Sequence, residues 1–114
     1  MSIAQRIAAN RAARERRFVE VMEWGEDDAP LLIYYSDVSA REIEKVRSKH
    51  KDFLSNPSIA AMVEIIIMKA ETQDGEKVFT LEDKPILMGE PVDVIANLFG
   101  SIFSSEPAEV KEKN

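Results

Sequence analysis

The sequence contains no cysteine and a single histidine, His50, among its 114 residues. Without cysteine the chain forms no disulfide, thiolate nucleophile, zinc–thiolate site or iron–sulfur cluster. A single histidine excludes metal sites and mechanisms that need two imidazoles from one chain. The sequence also has no run of about 18 apolar residues and no signal-peptide pattern at its start. We therefore expect a cytoplasmic protein that holds no cofactor or metal and does not enter a membrane.

Charge is distributed unevenly along the chain. Apolar residues make up 45% and charged residues 32%, which is typical of one folded domain at this length. The net charge is −6, yet residues 1–17 hold five arginines and one acid, while the other 97 residues hold ten basic and twenty acidic side chains. Phosphate binding depends on accumulated positive charge. The acidic body is therefore a poor binder of nucleic acid, and a solvated basic helix is the simpler explanation of residues 1–17.

The first third of the chain predicts a helix followed by a β-hairpin. Residues 1–17 are rich in alanine and arginine, with Ile3 and Ile7 one turn apart, and predict a basic, loosely docked helix. The apolar positions then alternate, as in a strand whose two faces are both partly covered. The polar segment 25–30 predicts a turn, and the β-branched and aromatic run 31–35 pairs back on the first strand.

Helix signals dominate the middle of the chain. Ser39 and Glu42 form a capping box that opens a helix to about Leu54. Ser58 caps the next helix, which is the most apolar segment and extends from Ile59 to about residue 72.

The last third predicts a turn, a short irregular helix and a final apolar helix. Asp74–Gly75 is a turn signal, and Lys77–Phe79 has room for only a short extended segment. Thr80–Asp83 is a helix start, but Pro85 lies late in it, so the helix is short or begins irregularly. Pro91 is well placed to open the last helix.

These signals predict an α+β fold, namely a mostly helical single domain with one N-terminal β-hairpin and three to four helices packed on it. The predicted organisation is a basic N-terminal helix at residues 1–17, a folded domain at residues 18–103 and a disordered polar tail at residues 104–114.

Few residues are candidates for chemistry. The sequence has none of the motifs that mark nucleophile elbows, zinc proteases, P-loops or dinucleotide sites. His50 fits a packed structural histidine better than a catalytic base, and Glu82 and Asp83 fit a helix start better than a general acid–base pair. The acids around Glu26 and Asp28 lack the ligand spacing of an EF-hand. We therefore predict a binding or assembly protein rather than an enzyme.

The strongest candidates for partner contacts are two apolar helical segments. The segment Ile65–Met68 is apolar on all sides, so it is either wholly buried or covered by a partner. The last helix carries an apolar stripe suited to docking in or forming a groove. Core packing explains both segments as well, and the sequence leaves the two alternatives open. The candidate partner-binding residues are Ile66, Met68, Leu98, Phe99, Ile102 and Phe103.

Three features follow one another in a fixed order along residues 18–103. A strand ends in Trp24–Gly25 and is followed by a second strand and a polar helix opened by Ser39 and Glu42. An apolar helix then leads into the string Asp74–Asp83, and an apolar helix closes the domain. This ordered set resembles the tail assembly chaperones of long, flexible-tailed phages and related prophages. The arginine-rich residues 1–17 are longer and more basic than that resemblance requires.

The resemblance implies a non-enzymatic role. Such chaperones bind the long, aggregation-prone tape measure protein in the host cytoplasm, help the tail tube polymerise around it and are absent from the finished virion. The resemblance also implies a longer frameshifted form that recruits the major tail tube protein, and Lys113–Asn114 is compatible with a slippery codon run. It supplies no catalytic or cofactor residues. The matching residues are interpreted as structural, with Trp24 in the core, glycines in turns and a carboxylate at a helix start: Trp24, Gly25, Asp74, Gly75, Phe79 and Asp83.

Two other functions compete with this hypothesis. A small regulatory protein would use its basic N-terminal arm on nucleic acid, and its binding would be salt-sensitive and lost when Arg11, Arg14, Arg16 and Arg17 become alanine. A structural tail completion protein would be found in purified particles. Self-association is a further expectation, because the last helix is strongly apolar.

Overall fold

The structure is a computed structural model that describes residues 2–104. A helix comes first, then a hairpin, then four more helices, in the order expected from the sequence and with the predicted α+β class confirmed. Apart from Ser104, the predicted tail lies outside the described residues. The elements are α1 (Ile3–Ala13), β1 (Arg17–Glu26), β2 (Ala29–Tyr35), α2 (Ala40–Arg47), α3 (Ile59–Lys69), a 3₁₀ turn (Leu81–Asp83), α4 (Lys84–Met88) and α5 (Val92–Phe103).

The hairpin joins β1 and β2 as an antiparallel pair, with Phe18 opposite Tyr34. Its turn lies at Asp27 and Asp28, which both have left-handed φ values, 51° and 67°. Two successive positive φ values match the twist of a hairpin. Gly25 was interpreted as a turn glycine, and this was wrong. It lies in β1, where an added Cβ would overlap the carbonyl oxygen of Ala29, so glycine is needed here for close approach.

A bulge in β1 changes which side chains face the core. Between the pairs Val21–Leu31 and Glu26–Ala29, β1 has four residues where β2 has one. The extra residues break the alternation, so Trp24 turns to the core side and its ring meets Phe79 edge-on at 5.7 Å. The prediction of two partly covered strand faces was wrong, because the alternation before the bulge places one face in the core and the other in solvent.

Local capping signals are confirmed in three helices. The Ser39 hydroxyl accepts a hydrogen bond from the backbone amide of Glu42, and the Glu42 carboxylate accepts one from the amide of Ser39. These two bonds form the capping box of α2. Ser58 caps α3 by accepting the amide of Ala61 at 3.1 Å. Before α4, the amide of Thr80 donates to Asp83, and the 3₁₀ turn there matches the irregular start expected from Pro85.

The helix expected to reach Leu54 ends at Arg47 instead. The Ser48 hydroxyl donates to the carbonyl of Lys45 at 2.7 Å, a local bond that competes with continued helix. The residues up to Ser55 form successive turns, which bring His50 to α3 and bury Phe53. The predicted capping signal was correct, but the apolar residues expected in the second half of the helix lie in these turns.

The core is built around α3, which packs on α5, α4 and α2. The inner face of the hairpin covers another side of the core through Val21, Ile33 and Tyr35. Gly75, with a φ of 91°, makes the predicted turn after α3, and the chain then returns beside it through the bridge between Glu71 and Lys77. The segment Ile65–Met68, which is apolar on all sides, is therefore buried at its three isoleucines and partly buried at Met68.

Candidate interaction surface

The six residues predicted to bind a partner lie mostly in the core. Ile66 is fully buried, and Leu98 and Ile102 are at most 3% exposed. Phe99 is 9% exposed, and Met68 is partly buried against the same core. The two apolar segments face each other across the α3–α5 contact, so each supplies the cover that the other needs. The role of these residues in partner binding stays a prediction, and the candidate surface below is built from others.

Phe103 is the exposed member of that set, at 39%. Its ring stacks on Phe99 with centroids 5.1 Å apart and meets Phe53 edge-on at 5.7 Å. These contacts fix the ring at the end of α5. Phe103 therefore borders the core instead of forming an apolar surface of its own.

The hairpin presents a more extensive apolar surface, which sequence reasoning missed. Side chains on the side of the hairpin away from the core form a surface that we call the outer face. Phe18 and Met22 are 54% and 61% exposed, and Leu32 is 38% exposed. The rings of Phe18 and Tyr34 lie 5.4 Å apart, which joins the two strands. The outer face consists of Phe18, Glu20, Met22, Leu32 and Tyr34.

Acidic side chains lie within the outer face and at its end near the hairpin turn, and the hairpin has no basic residue between Phe18 and Tyr35. All five hairpin acids are exposed, and none pairs with a cation among the described residues. One of them, Glu20, lies within the face opposite Leu32, and the others lie toward the hairpin turn. We call this set the acidic rim: Glu20, Glu23, Glu26, Asp27 and Asp28.

At the opposite end, Arg16 holds the outer face against the strand-like segment after α3. Its guanidinium lies 5.5 Å from the centre of the Tyr34 ring and pairs with Glu71 at 2.9 Å. It also donates to the carbonyl oxygens of Thr72 and Gln73. This arginine is part of the fold, since its charge is paired with Glu71 and its guanidinium also donates to two carbonyl oxygens.

Helix α1 extends from this framework and has no buried residue. It is fastened at its end, where Arg14 and Arg17 pair with Asp37 at 2.7 and 2.5 Å. A cleft of about 690 Å³ separates α1 from the start of α2, with Ile7 and Arg11 on one wall. The structure therefore shows a helical arm that is tied at its base and exposed along its length.

A buried lysine joins the end of the hairpin to the start of α2. Lys69 is 6% exposed, and its ammonium donates to Ser36, to the carbonyl of Asp37 and to Glu42. Burial raises the pKa of Glu42, but the Ser39 amide and Lys69 outweigh it, so the pKa lies below its ordinary value. A buried charge with this many partners is structural and is not available to a ligand.

Glu64 forms a second polar junction, which is partly buried, between α3, the turns after α2 and the start of α4. It accepts from Lys84 at 2.7 Å and contacts the ring nitrogen of His50 at 3.0 Å. Burial raises the pKa of Glu64, but the hydrogen bonds from Lys84 and His50 outweigh it and leave the pKa below its ordinary value. His50 thus lies where the structural interpretation predicted, as a packed residue with a carboxylate partner.

Two further kinds of feature are absent from residues 2–104. In this range no group of three or more His, Cys, Asp or Glu side chains is placed to hold a metal ion. No helix of the same segment is both long and apolar enough to cross a membrane. A comparison with known proteins finds no family model, curated protein or solved structure that matches this chain.

Proposed function

We propose that this protein is a non-enzymatic assembly chaperone of the phage tail type, which binds an apolar helical segment of the tape measure protein on its outer face. The observation that carries this proposal is the exposure of Phe18, Met22 and Leu32 side by side on one face of the hairpin. The resemblance noted in the sequence supplies the identity of the client.

The chemistry of the outer face suits a helical client. Phe18 and Met22 are four residues apart on one strand, which spans about 13 Å, or roughly two helical turns. A client helix with apolar residues three or four positions apart can therefore place two or three of them on this face. Burying one such side chain contributes about 1.5–3 kcal/mol before the cost of ordering is subtracted.

The acidic rim fits the chaperone role in two ways. Its unpaired carboxylates keep a complex that carries an apolar client negatively charged, which opposes aggregation. They also favour client segments in which lysine or arginine flanks the apolar residues. We further propose that the protein acts in the host cytoplasm, is absent from the mature virion and reaches the major tail tube protein through a longer frameshifted form.

Co-expression with the tape measure protein encoded nearby tests the proposal. The native protein should keep the client soluble and should co-purify with it. The double variant Phe18→Ser/Met22→Ser should lose both effects, because it removes two apolar side chains of the outer face. It should still fold, because both side chains are exposed and contribute little to folding. Retained solubility with this variant would contradict the use of the outer face, and an insoluble client with the native protein would contradict the chaperone function.

A matched control replaces exposed apolar residues elsewhere. Ile86 and Val92 are 71% and 58% exposed and lie in α4 and α5. The variant Ile86→Ser/Val92→Ser removes a similar amount of exposed apolar surface and should protect the client as well as the native protein does. Recovery of the chain from purified particles would instead indicate a structural tail protein.

The nucleic-acid alternative has less support. Of the four arginines assigned to it, Arg14, Arg16 and Arg17 pair with carboxylates of the same chain. Arg11 is left without an ion pair to any described carboxylate, and the accumulated charge that phosphate binding needs is correspondingly small.

A further inference from the structure

We propose that helix α1 of a second copy occupies the outer face when no client is bound, so that two copies exchange arms and shield each other's apolar surface. The observation behind this inference is a match between two surfaces of the same chain. The outer face is apolar with an acidic rim, and α1 is the exposed basic helix. The arm docking does not depend on the proposed function, whereas its displacement by a client rests on it.

The side chains of α1 are arranged to fit such a surface. With 3.6 residues per turn, Ile3 and Ile7 lie about 40° apart and form one narrow apolar stripe. Arg6 lies about 60° to one side of Ile3, and Arg11 lies about 40° beyond Ile7 on the other side. Ile3 and Ile7 are 68% and 58% exposed. The arm thus has a small apolar centre with an arginine on each flank.

The charges complement each other in the same geometry. Among the described residues Arg6 and Arg11 have no carboxylate partner, and the acids of the rim have no cation partner. The helix from Ile3 to Arg11 is about 12 Å long, and the strand from Phe18 to Met22 is about 13 Å long. The arm can therefore place its isoleucines between Phe18 and Met22 while its arginines approach the acidic rim.

The arm does not reach the outer face of its own chain in this structure. Arg14 and Arg17 bind Asp37, just beyond the end of β2, and so direct α1 toward the connection between β2 and α2. Ile7 and Arg11 face the cleft whose other wall includes Val38. Folding α1 back along its own hairpin would break the Arg14–Asp37 pair, whereas a second copy can approach with the pair intact.

A reciprocal exchange closes the assembly at two copies, because each gives one arm and receives one. One short helix covers less area than the roughly 800 Å² per partner of a stable interface. We therefore expect a weak dimer with a dissociation constant in the micromolar range that is weakened by salt.

Charge reversal on the two surfaces separately tests the exchange. The variant Arg6→Glu/Arg11→Glu makes the arm acidic, and the variant Glu20→Lys/Glu23→Lys reverses the two rim charges nearest to Phe18 and Met22. In each variant alone, the arm of one copy and the hairpin of the other no longer have complementary charges. Each should therefore dimerise at least tenfold more weakly than the native chain by sedimentation equilibrium in low salt. An equimolar mixture restores opposite charges at both contacts and should recover the native dissociation constant.

A control variant separates this effect from net charge. Lys45 and Lys51 are exposed and lie outside both surfaces, and Lys45→Glu/Lys51→Glu makes the same charge change as the arm variant. It should dimerise within about twofold of the native chain, since only screened long-range repulsion changes. Far-ultraviolet circular dichroism of every variant should match the native spectrum, because all substituted side chains are exposed.

The outcomes distinguish this inference from the proposed function. A native chain that stays monomeric at every concentration, or variants that fail to recover on mixing, would overturn the arm exchange and leave the client assay unaffected. If the exchange is present, the client segment should convert the dimer into a one-to-one complex. A dimer that survives saturation with a bound client would show that the arm and the client use different surfaces.

Discussion

The α3–α5 pair and the outer face of the hairpin are both apolar, but only one of them is covered. On α3 and α5 the apolar side chains face each other, and Ile66 and Ile102 are at most 1% exposed. On the hairpin one face packs on that core, while Phe18 and Met22 on the other face remain in solvent. A two-stranded sheet has two faces, and residues 2–104 cover one of them. Apolar composition alone therefore does not identify a binding surface. An apolar face is a candidate only where no other part of the fold packs on it.

The largest expected difference between the two regions is in stability. Ile66→Ala should lower the free energy of unfolding by about 2–5 kcal/mol, because it leaves a cavity in a closely packed core. Met22→Ala on the outer face should change it by no more than about 0.5 kcal/mol. Urea denaturation of both variants measures the contrast. Equal losses would mean that the outer face is covered in the isolated protein.

The next largest effect concerns the shape of the hairpin. Gly25→Ala should destabilise the protein by about 1–3 kcal/mol, because the added methyl overlaps the carbonyl of Ala29. Gly100→Ala is the matched control, since nothing lies near its added Cβ in α5 and alanine favours helix by about 1 kcal/mol. Thermal unfolding should give opposite signs for the two variants. A neutral Gly25→Ala would show that the bulge which turns Trp24 inward can adjust freely.

The polar contacts of Glu64 on α3 should make the stability of the protein depend on pH. Because the folded-state pKa of Glu64 is depressed, its contribution to stability is present above its ordinary pKa of about 4.5. The contribution is lost as the pH falls through the folded-state pKa. Glu64→Gln should cost about 1–2 kcal/mol at neutral pH, since it weakens a charge-assisted bond to Lys84.

The pH profile supplies the check on that assignment. As the pH falls through the folded-state pKa of Glu64, the native protein and Glu64→Gln should converge in stability, because the native carboxylate is then increasingly protonated as well. Unfolding curves recorded from neutral to acidic pH measure this convergence. A gap that stays constant across the range would mean that Glu64 acts through packing and not through its charge.

The smallest effect should be at the base of the arm. Arg14→Ala removes an exposed ion pair to Asp37 and should cost less than about 0.5 kcal/mol. Arg16→Ala removes the pair to Glu71, two bonds to carbonyl oxygens and the contact with Tyr34, and should cost more. Chemical denaturation of the two variants compares them. If their order were reversed, the arm and not the hairpin end would be the anchored element.

Local chemistry in the sequence predicted much of the fold. The capping pair Ser39 and Glu42, the cap at Ser58 and the turn at Gly75 each depend on a few neighbouring residues, and all three are confirmed. The bulge after Val21 and the early end of α2 were missed. The bulge depends on the contact of Trp24 with Phe79, a distant segment that a single sequence does not display. The end of α2 coincides with a local bond of the Ser48 hydroxyl, which competes with the helical pattern of the apolar residues.

The candidate surface was harder to predict for the same reason. The alternation around Phe18 and Met22 correctly predicted a strand. Which face of that strand is covered depends on where α3 and α5 lie. The stripe that includes Leu98 and Ile102 has the spacing of an interaction helix and of a core helix alike. A useful signal was available in the charges, because the acids of the hairpin have no basic residue near them in the sequence.

The most direct test of the outer face is a methyl NMR titration of the native protein labelled at methionine. Met22 lies on the outer face, whereas Met62 and Met68 belong to α3 and are partly buried. On addition of a soluble segment of the tape measure protein, we predict that the Met22 methyl signal shifts or broadens while those of Met62 and Met68 stay in place. Movement of Met68 with a stationary Met22 would contradict this and return the binding site to the helix pair.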